Sequence, residues 1–138
     1  MPAFPELMHT ALDSPDAREL AEFYRRLLGL HYRPGDEPPT DGSADIGADW
    51  LVLLDDHGHR KLAFQKAENL VPPTWPSPAV PMQLHLDFSV VSLAELHRHR
   101  HRAQALGARV LLDRTHDAAE PLYVLADPAG HPFCLLVA

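Results

Sequence analysis

The sequence predicts an α+β protein built from two tandem copies of one strand–helix–three-strand module, βαβββ. Two amphipathic runs, near residues 15–28 and 93–106, each begin at capping residues and end at a glycine, Gly29 and Gly107. Each run follows a short β-type stretch and precedes three more. The two series are separated by a segment carrying Pro72, Pro73, Pro76, Pro78 and Pro81, which suits neither a helix nor a central strand. The chain therefore divides into module one at 5–67, a proline-rich linker at 68–80 and module two at 81–138.

In chain order, Leu7 to Leu12 reads as the first strand, and Ser14-Pro15-Asp16 offers an N-cap, a proline at the first helical position and an acid in the first turn. Leu20, Phe23, Tyr24, Leu27 and Leu28 then place one apolar face on a helix over 15–28. Leu30 to Arg33 reads as a strand, and Pro34 to Gly47, rich in Pro, Gly and Asp, as an exposed loop. Trp50 to Leu54 and Arg60 to Lys66 form a hairpin around Asp55-Asp56-His57-Gly58. After the linker, residues 82–90 alternate polar and apolar as a strand should, and Ser92-Leu93-Ala94-Glu95 is a capping box opening a helix to about Leu106. Val110 to Asp113, Leu122 to Ala126 and Phe133 to Val137 read as the last three strands, with a turn at Asp127-Pro128-Ala129-Gly130.

Composition bounds the function. The 138 residues suit one compact domain of ordinary hydrophobic content, 46%. Nineteen acidic against twelve basic residues give a net charge of −7, which disfavours a surface that must neutralise nucleic-acid phosphates and suits a neutral or cationic small ligand. No signal-like leader and no apolar run of roughly 18 residues is found, so a cytoplasmic protein without a membrane partner is expected. Cys134 is the single cysteine, which excludes an internal disulfide.

Laying the halves together matches His9 with His85, Gly29 with Gly107 and Gly58 with Gly130, at spacings that agree within loop-length differences. Phe64-Gln65 then falls on Phe133-Cys134 if extra residues are allowed in the first hairpin. Strand parity sends Leu84, Leu86, Phe88 and Val90 to one face and Gln83, His85, Asp87 and Ser89 to the other. The polar faces are expected to line a cleft where the halves join, with His9, Gln65, His85 and Cys134 converging there.

The run His9-Thr10-Ala11-Leu12-Asp13-Ser14-Pro15-Asp16, with Phe23-Tyr24 and Leu28-Gly29-Leu30, resembles the first module of the vicinal oxygen chelate superfamily. That superfamily includes glyoxalase I, extradiol dioxygenases, fosfomycin-resistance enzymes and bleomycin-resistance proteins. Leu84-His85-Leu86-Asp87-Phe88, Leu106-Gly107-Ala108-Arg109 and Asp127 to Cys134 resemble its second module in the glyoxalase-like subgroup, so the likeness spans essentially the whole chain. It implies the paired βαβββ fold and a homodimer. It also implies, in catalytic members, a divalent metal such as Zn, Ni, Mn or Fe held by residues on the first and fourth strands of each module. Carried onto this chain, those positions are His9, Gln65, His85 and Cys134.

Two functional readings follow. Gln65 and Cys134 stand where carboxylates are expected, and a neutral amide is no base for a glyoxalase-type proton transfer, which favours small-molecule binding without a standard metal site. The alternative is a metal-dependent lyase, isomerase or dioxygenase acting on vicinal oxygens, with His9 and His85 as ligands completed by Gln65 or Cys134. Asp87, on the same face as His85, is the candidate base or anchor for a cationic ligand. Trp50 and Tyr123 are candidate aromatic pocket walls. A third class, a structural interaction domain, predicts no ligand-sized cavity. The run His97-Arg98-His99-Arg100-His101-Arg102 could place a His pair four apart for a metal, but reads better as a solvated helix face.

Overall fold

A computed structural model describes residues 3–138. The chain divides into two compact units, residues 1–70 and 71–138, each a strand–helix–three-strand module. No helix among the described residues is long and apolar enough to cross a membrane.

In the first unit, β1 (Thr10–Ser14), α1 (Ala17–Leu28), β2 (His31–Tyr32), β3 (Trp50–Leu54) and β4 (Arg60–Lys66) build a four-stranded sheet in the order β1-β4-β3-β2. The β1–β4 pairing is parallel and the others antiparallel, so the sheet is mixed. Helix α1 covers one face with Leu20, Ala21, Phe23, Tyr24 and Leu27, all buried, and the Tyr24 ring stacks on Phe64 of β4 with centroids 5.9 Å apart. The predicted first strand moves toward its C-terminus: Leu7 and Met8 are 90% and 61% exposed, and pairing starts at Thr10. The helix N-cap is Asp16, not Ser14. The Asp16 carboxylate accepts from the Glu19 amide, while the Ser14 hydroxyl is used locally, accepting from the Asp16 amide and donating to its carbonyl.

Residues 33–49 form no helix or strand but are tied down. Arg18 of α1 donates to both Asp45 carboxylate oxygens at 2.8 and 3.0 Å and to the Asp36 carbonyl, and its guanidinium lies 5.0 Å from the Tyr32 ring centroid. Asp36 in turn accepts from the Val52 amide of β3 and from Arg33. One cation on the helix thus organises the loop that the sequence marks only as exposed.

In the second unit, β5 (Leu86–Val90), α2 (Leu93–Ala105), β6 (Arg109–Asp113), β7 (Leu122–Ala126) and β8 (Pro132–Val137) repeat the plan in the order β5-β8-β7-β6, with β5–β8 parallel. Strand β5 is shorter than the predicted 82–90, which leaves His85 one residue before it. Ser92 is the α2 N-cap, accepting from the Glu95 amide; the Glu95 carboxylate turns instead to Arg98 and His99. The buried core of this unit is Leu96, Ala103, the whole of β7, Phe133 and Leu135.

The helix run 97–102 departs from the expected solvated face. The His97 imidazole Nδ1 lies 2.8 Å from the buried Tyr123 hydroxyl, and the Arg100 guanidinium sits 5.3 Å from the Tyr123 ring centroid. His99, partly buried, is pulled below the usual histidine range first by burial and then by Arg98 and Arg102. Packing against the phenol, invisible in the local sequence, recruits His97 and Arg100.

Candidate functional site

Register decides which residues share a face. In module two, Asp87 of β5 is paired with Cys134 of β8, and Cys134 with Val124 of β7. Phe133 and Leu135, buried at 0% and 2% exposure, point to the α2 side, where their neighbour Tyr123 meets His97. Alternation therefore turns Cys134 and Asp87 to the helix-free face. His85, two residues before Asp87, joins them: its Nε2 lies 3.2 Å from Asp87 Oδ1, and one donor atom each of His85, Asp87 and Cys134 lies within 4.8 Å of the others. Burial raises the Cys134 thiol pKa to about 11, with a hydrogen bond to Asp87 and the carboxylate's charge adding to it. The thiol is therefore protonated at neutral pH beside the carboxylate.

In module one, Trp50, Gln65 and Asp13 lie side by side across β3, β4 and β1 on the helix-free face, because Phe64 between them faces α1. The His9 ring sits 5.7 Å from Trp50 in a tilted contact, and Trp50 keeps 37% of its surface exposed. His9 Nδ1 is buried without a hydrogen-bond partner. This face presents an aromatic ring, an imidazole and a neutral amide together.

The expected match of Gln65 with Cys134 is corrected by the register. The hairpin turns are alike in both modules. Asp55 and Asp127 each accept at Oδ1 from the amides two and four residues on, and each donates its own amide to the carbonyl four residues on. Counting from the turns, Val52 paired with Ala63 corresponds to Val124 paired with Cys134, because an irregularity at Leu53/Leu54 gives β4 one extra residue, Lys61. Ala63 also pairs with Ala11 where Cys134 pairs with Asp87. Ala11 and Asp87 are as far apart in sequence as His9 and His85, so the histidine match holds while the fourth-strand match becomes Ala63. Gln65 corresponds to Leu136.

The metal arrangement implied by the resemblance asks for donors on the first and fourth strands of each module. The register places His9 with Ala63 in one and His85 with Cys134 in the other. Ala63 has no donor atom, and Gln65 two residues on is a neutral amide, so these residues do not fit that four-donor set.

Of the sequence-predicted residues, the structure brings together His85, Asp87 and Cys134 in one unit and His9, Trp50 and Gln65 in the other. Tyr123 stands apart from the group in its own unit, buried against α2. The sequence reading missed a cavity of about 330 Å³ in module one, lined by Glu22, Arg25, Tyr32 and Glu37 among others. Three of its polar groups are linked: Tyr32 donates to Glu22 at 2.7 Å, and Arg25 holds Glu22 below the usual carboxylate range, while burial first pushes the Tyr32 phenol up to about 12. Glu22 and Tyr32 come from separate elements with no local motif to announce their pairing.

Two four-stranded mixed sheets, each with one parallel pair and a helix on one face, define a tandem βαβββ protein. The family model for the glyoxalase-like domain matches residues 9–136, and the chain belongs to that family, within the glyoxalase, bleomycin-resistance and dioxygenase group. Solved structures share the fold at low identity. One is a glyoxalase/bleomycin resistance protein/dioxygenase family enzyme from Burkholderia phytofirmans PsJN, at 15% identity over 96% of this chain and 98% of that one, with a TM-score of 0.70. Another is the fosfomycin resistance protein FosX from Mesorhizobium loti, at 14% identity over 98% and 93%, TM-score 0.66. A glyoxalase/dioxygenase from Nostoc punctiforme is 19% identical over 96% and 90%, TM-score 0.66. No curated protein matches the sequence.

Proposed function

We propose that the protein binds a small organic molecule on helix-free sheet surface, anchored in module two by His85, Asp87 and Cys134. The observation that carries this reading is the grouping of these three side chains, with His85 39% and Asp87 58% exposed at their side chains, on a strand surface whose other face is closed by α2. Buried polar groups are normally satisfied within the fold, whereas this carboxylate meets an imidazole, lies beside a thiol and still faces outward. Asp87 is the group to hold a cationic ligand or to accept a proton from one. In module one, Trp50 with His9 offers an apolar platform and Gln65 a neutral hydrogen-bonding edge, and these residues are assigned to ligand binding as well. The working assembly is taken to be a homodimer.

The test is a calorimetric screen of metal-free protein against neutral and cationic aromatic compounds, with bleomycin and fosfomycin included because similar proteins carry those names. Saturable binding, weakened at least tenfold by Asp87→Asn and unchanged by His101→Ala on α2, is expected. Binding that survives Asp87→Asn and His85→Ala together would refute the assignment.

A further inference from the structure

The cavity of about 330 Å³ in module one shares no residue with either surface assigned to ligand binding above. Its walls come from α1, from β2 and the residue before it, and from the loop that follows β2. We propose that it is a second small-molecule site, which takes a monocationic amine with an apolar body: the ammonium meets the Glu37 carboxylate and the body lies against Leu30 and Pro38.

Three observations support it. The first is which charges are already spent. The Glu22 carboxylate takes Arg25 Nε at 2.7 Å, Arg25 Nη2 at 3.0 Å and the Tyr32 hydroxyl at 2.7 Å. Glu37 accepts at Oε1 from the Gly35 amide alone, and no cation among the described residues pairs with it. An unpaired carboxylate on the wall of a concave site is a place for a ligand's positive charge. The second is the sign of the lining. Two carboxylates against one guanidinium leave an excess of one negative charge with His31 neutral, which one cation balances, whereas an anion reaching Arg25 meets both carboxylates. The third is what the other walls offer. Tyr32 has given its proton to Glu22 and presents only acceptor lone pairs, while Leu30 and Pro38 are apolar, which suits an N–H donor on an apolar body.

Module two supplies an internal control. Counting from the N-caps, Glu22 and Arg25 correspond to Arg98 and His101, so a cation stands where module one has its paired carboxylate. The loop that brings Glu37 and Pro38 runs over residues 33–49, against 114–121 between β6 and β7. That longer loop also carries Asp36, which accepts from the Val52 amide, and Asp45, which holds Arg18. An amine at Glu37 therefore joins α1 to a segment that is already tied to β3.

The experiment titrates the isotope-labelled full chain at neutral pH with benzylamine, benzyl alcohol and benzoate, and reads amide chemical shifts residue by residue. Benzylamine is expected to saturate with a Kd on the order of 1 mM, as suits a ligand of its size, and to move the amides of Glu22, Arg25, His31, Tyr32 and Glu37 together. The neutral alcohol and the anion bind there at least tenfold more weakly. Glu37→Gln keeps an oxygen for the Gly35 amide, removes the charge and weakens benzylamine at least tenfold at the same amides. An unchanged amide spectrum away from the cavity checks that this variant is folded. Absence of saturation by about 10 mM benzylamine, equal binding of benzyl alcohol or benzoate, or unaltered binding in Glu37→Gln would each overturn the proposal. Amides around His85 and Asp87 report the module two surface in the same spectra, so failure of one site is told apart from failure of the other.

Discussion

Helices α1 and α2 occupy corresponding places on their sheets and hold them by different means. Counting from the N-caps Asp16 and Ser92, Leu20 matches Leu96, and both are fully buried. Beyond that shared anchor the faces diverge: Phe23, Tyr24 and Leu27 of α1 become His99, Arg100 and Ala103 in α2. The opposite faces diverge in the reverse sense. Module one has Ala11 and Ala63 where module two has Asp87 and Cys134. One copy has concentrated apolar packing under its helix, and the other has traded part of that packing for polar contacts while gaining the donor cluster. Duplicated scaffolds can divide stability and chemistry in this way because each sheet has one face for each purpose.

The largest test of that division compares Tyr24 with Arg100. Tyr24 is 1% exposed and stacks on Phe64, so Tyr24→Ala is expected to cost about 3–5 kcal/mol in urea unfolding. Arg100, only half-buried, lies over Tyr123, and Arg100→Ala should cost about 1 kcal/mol. Equal losses would mean that the two helices are held alike and would break the comparison.

The two hairpin turns give a second contrast. Gly58 and Gly130 both have positive φ, 81° and 95°, so alanine at either is strained by about 1–2 kcal/mol. A Cβ at Gly58 meets nothing within 4 Å, whereas one at Gly130 would stand 2.6 Å from Pro72 Cβ of the linker segment. Gly130→Ala should therefore be the more damaging by about 1–3 kcal/mol, as overpacking adds to strain. Thermal unfolding of the two variants side by side checks the order, and equal shifts would show that the Pro72 contact yields freely.

How much of this was legible follows from the kind of signal each feature leaves. Compact β-type runs bounded by turns were read at their observed limits, as for Trp50–Leu54, Arg60–Lys66 and Leu122–Ala126. Leu7 and Met8 misled because apolarity marks a strand only where something packs on it. Ser14 and Asp16 are both good caps, and their choice depends on where the parallel pairing of β1 with β4 stops, at Ser14. At the candidate site, His9, Gln65, His85, Asp87 and Cys134 were named from alternation and resemblance, and Trp50 as an aromatic wall. What alternation cannot show is how many extra residues a hairpin holds: the match of Gln65 with Cys134 needs several, and the register allows one, Lys61, which leaves Ala63 as the counterpart of Cys134.

The smallest effect concerns the proton on Cys134, which has no counterpart in module one. Its pKa is raised from 9.0 to about 11, so the native thiol reacts with iodoacetamide about a hundredfold more slowly at pH 8 than a free cysteine, the thiolate being the reactive form. The rate should climb with pH until about 11. Because the native state holds this proton more tightly than the unfolded chain, the contribution to stability is complete below pH 9 and is lost as pH rises toward 11. Burial is the larger cause and Asp87 the lesser, so Asp87→Asn should lower the midpoint without restoring the ordinary value, raising the alkylation rate at pH 8 by less than tenfold. A variant that reacts like a free thiol would show that the carboxylate, not burial, keeps the proton in place. A variant with an unchanged rate would show that Asp87 and Cys134 are neighbours on the sheet without being coupled.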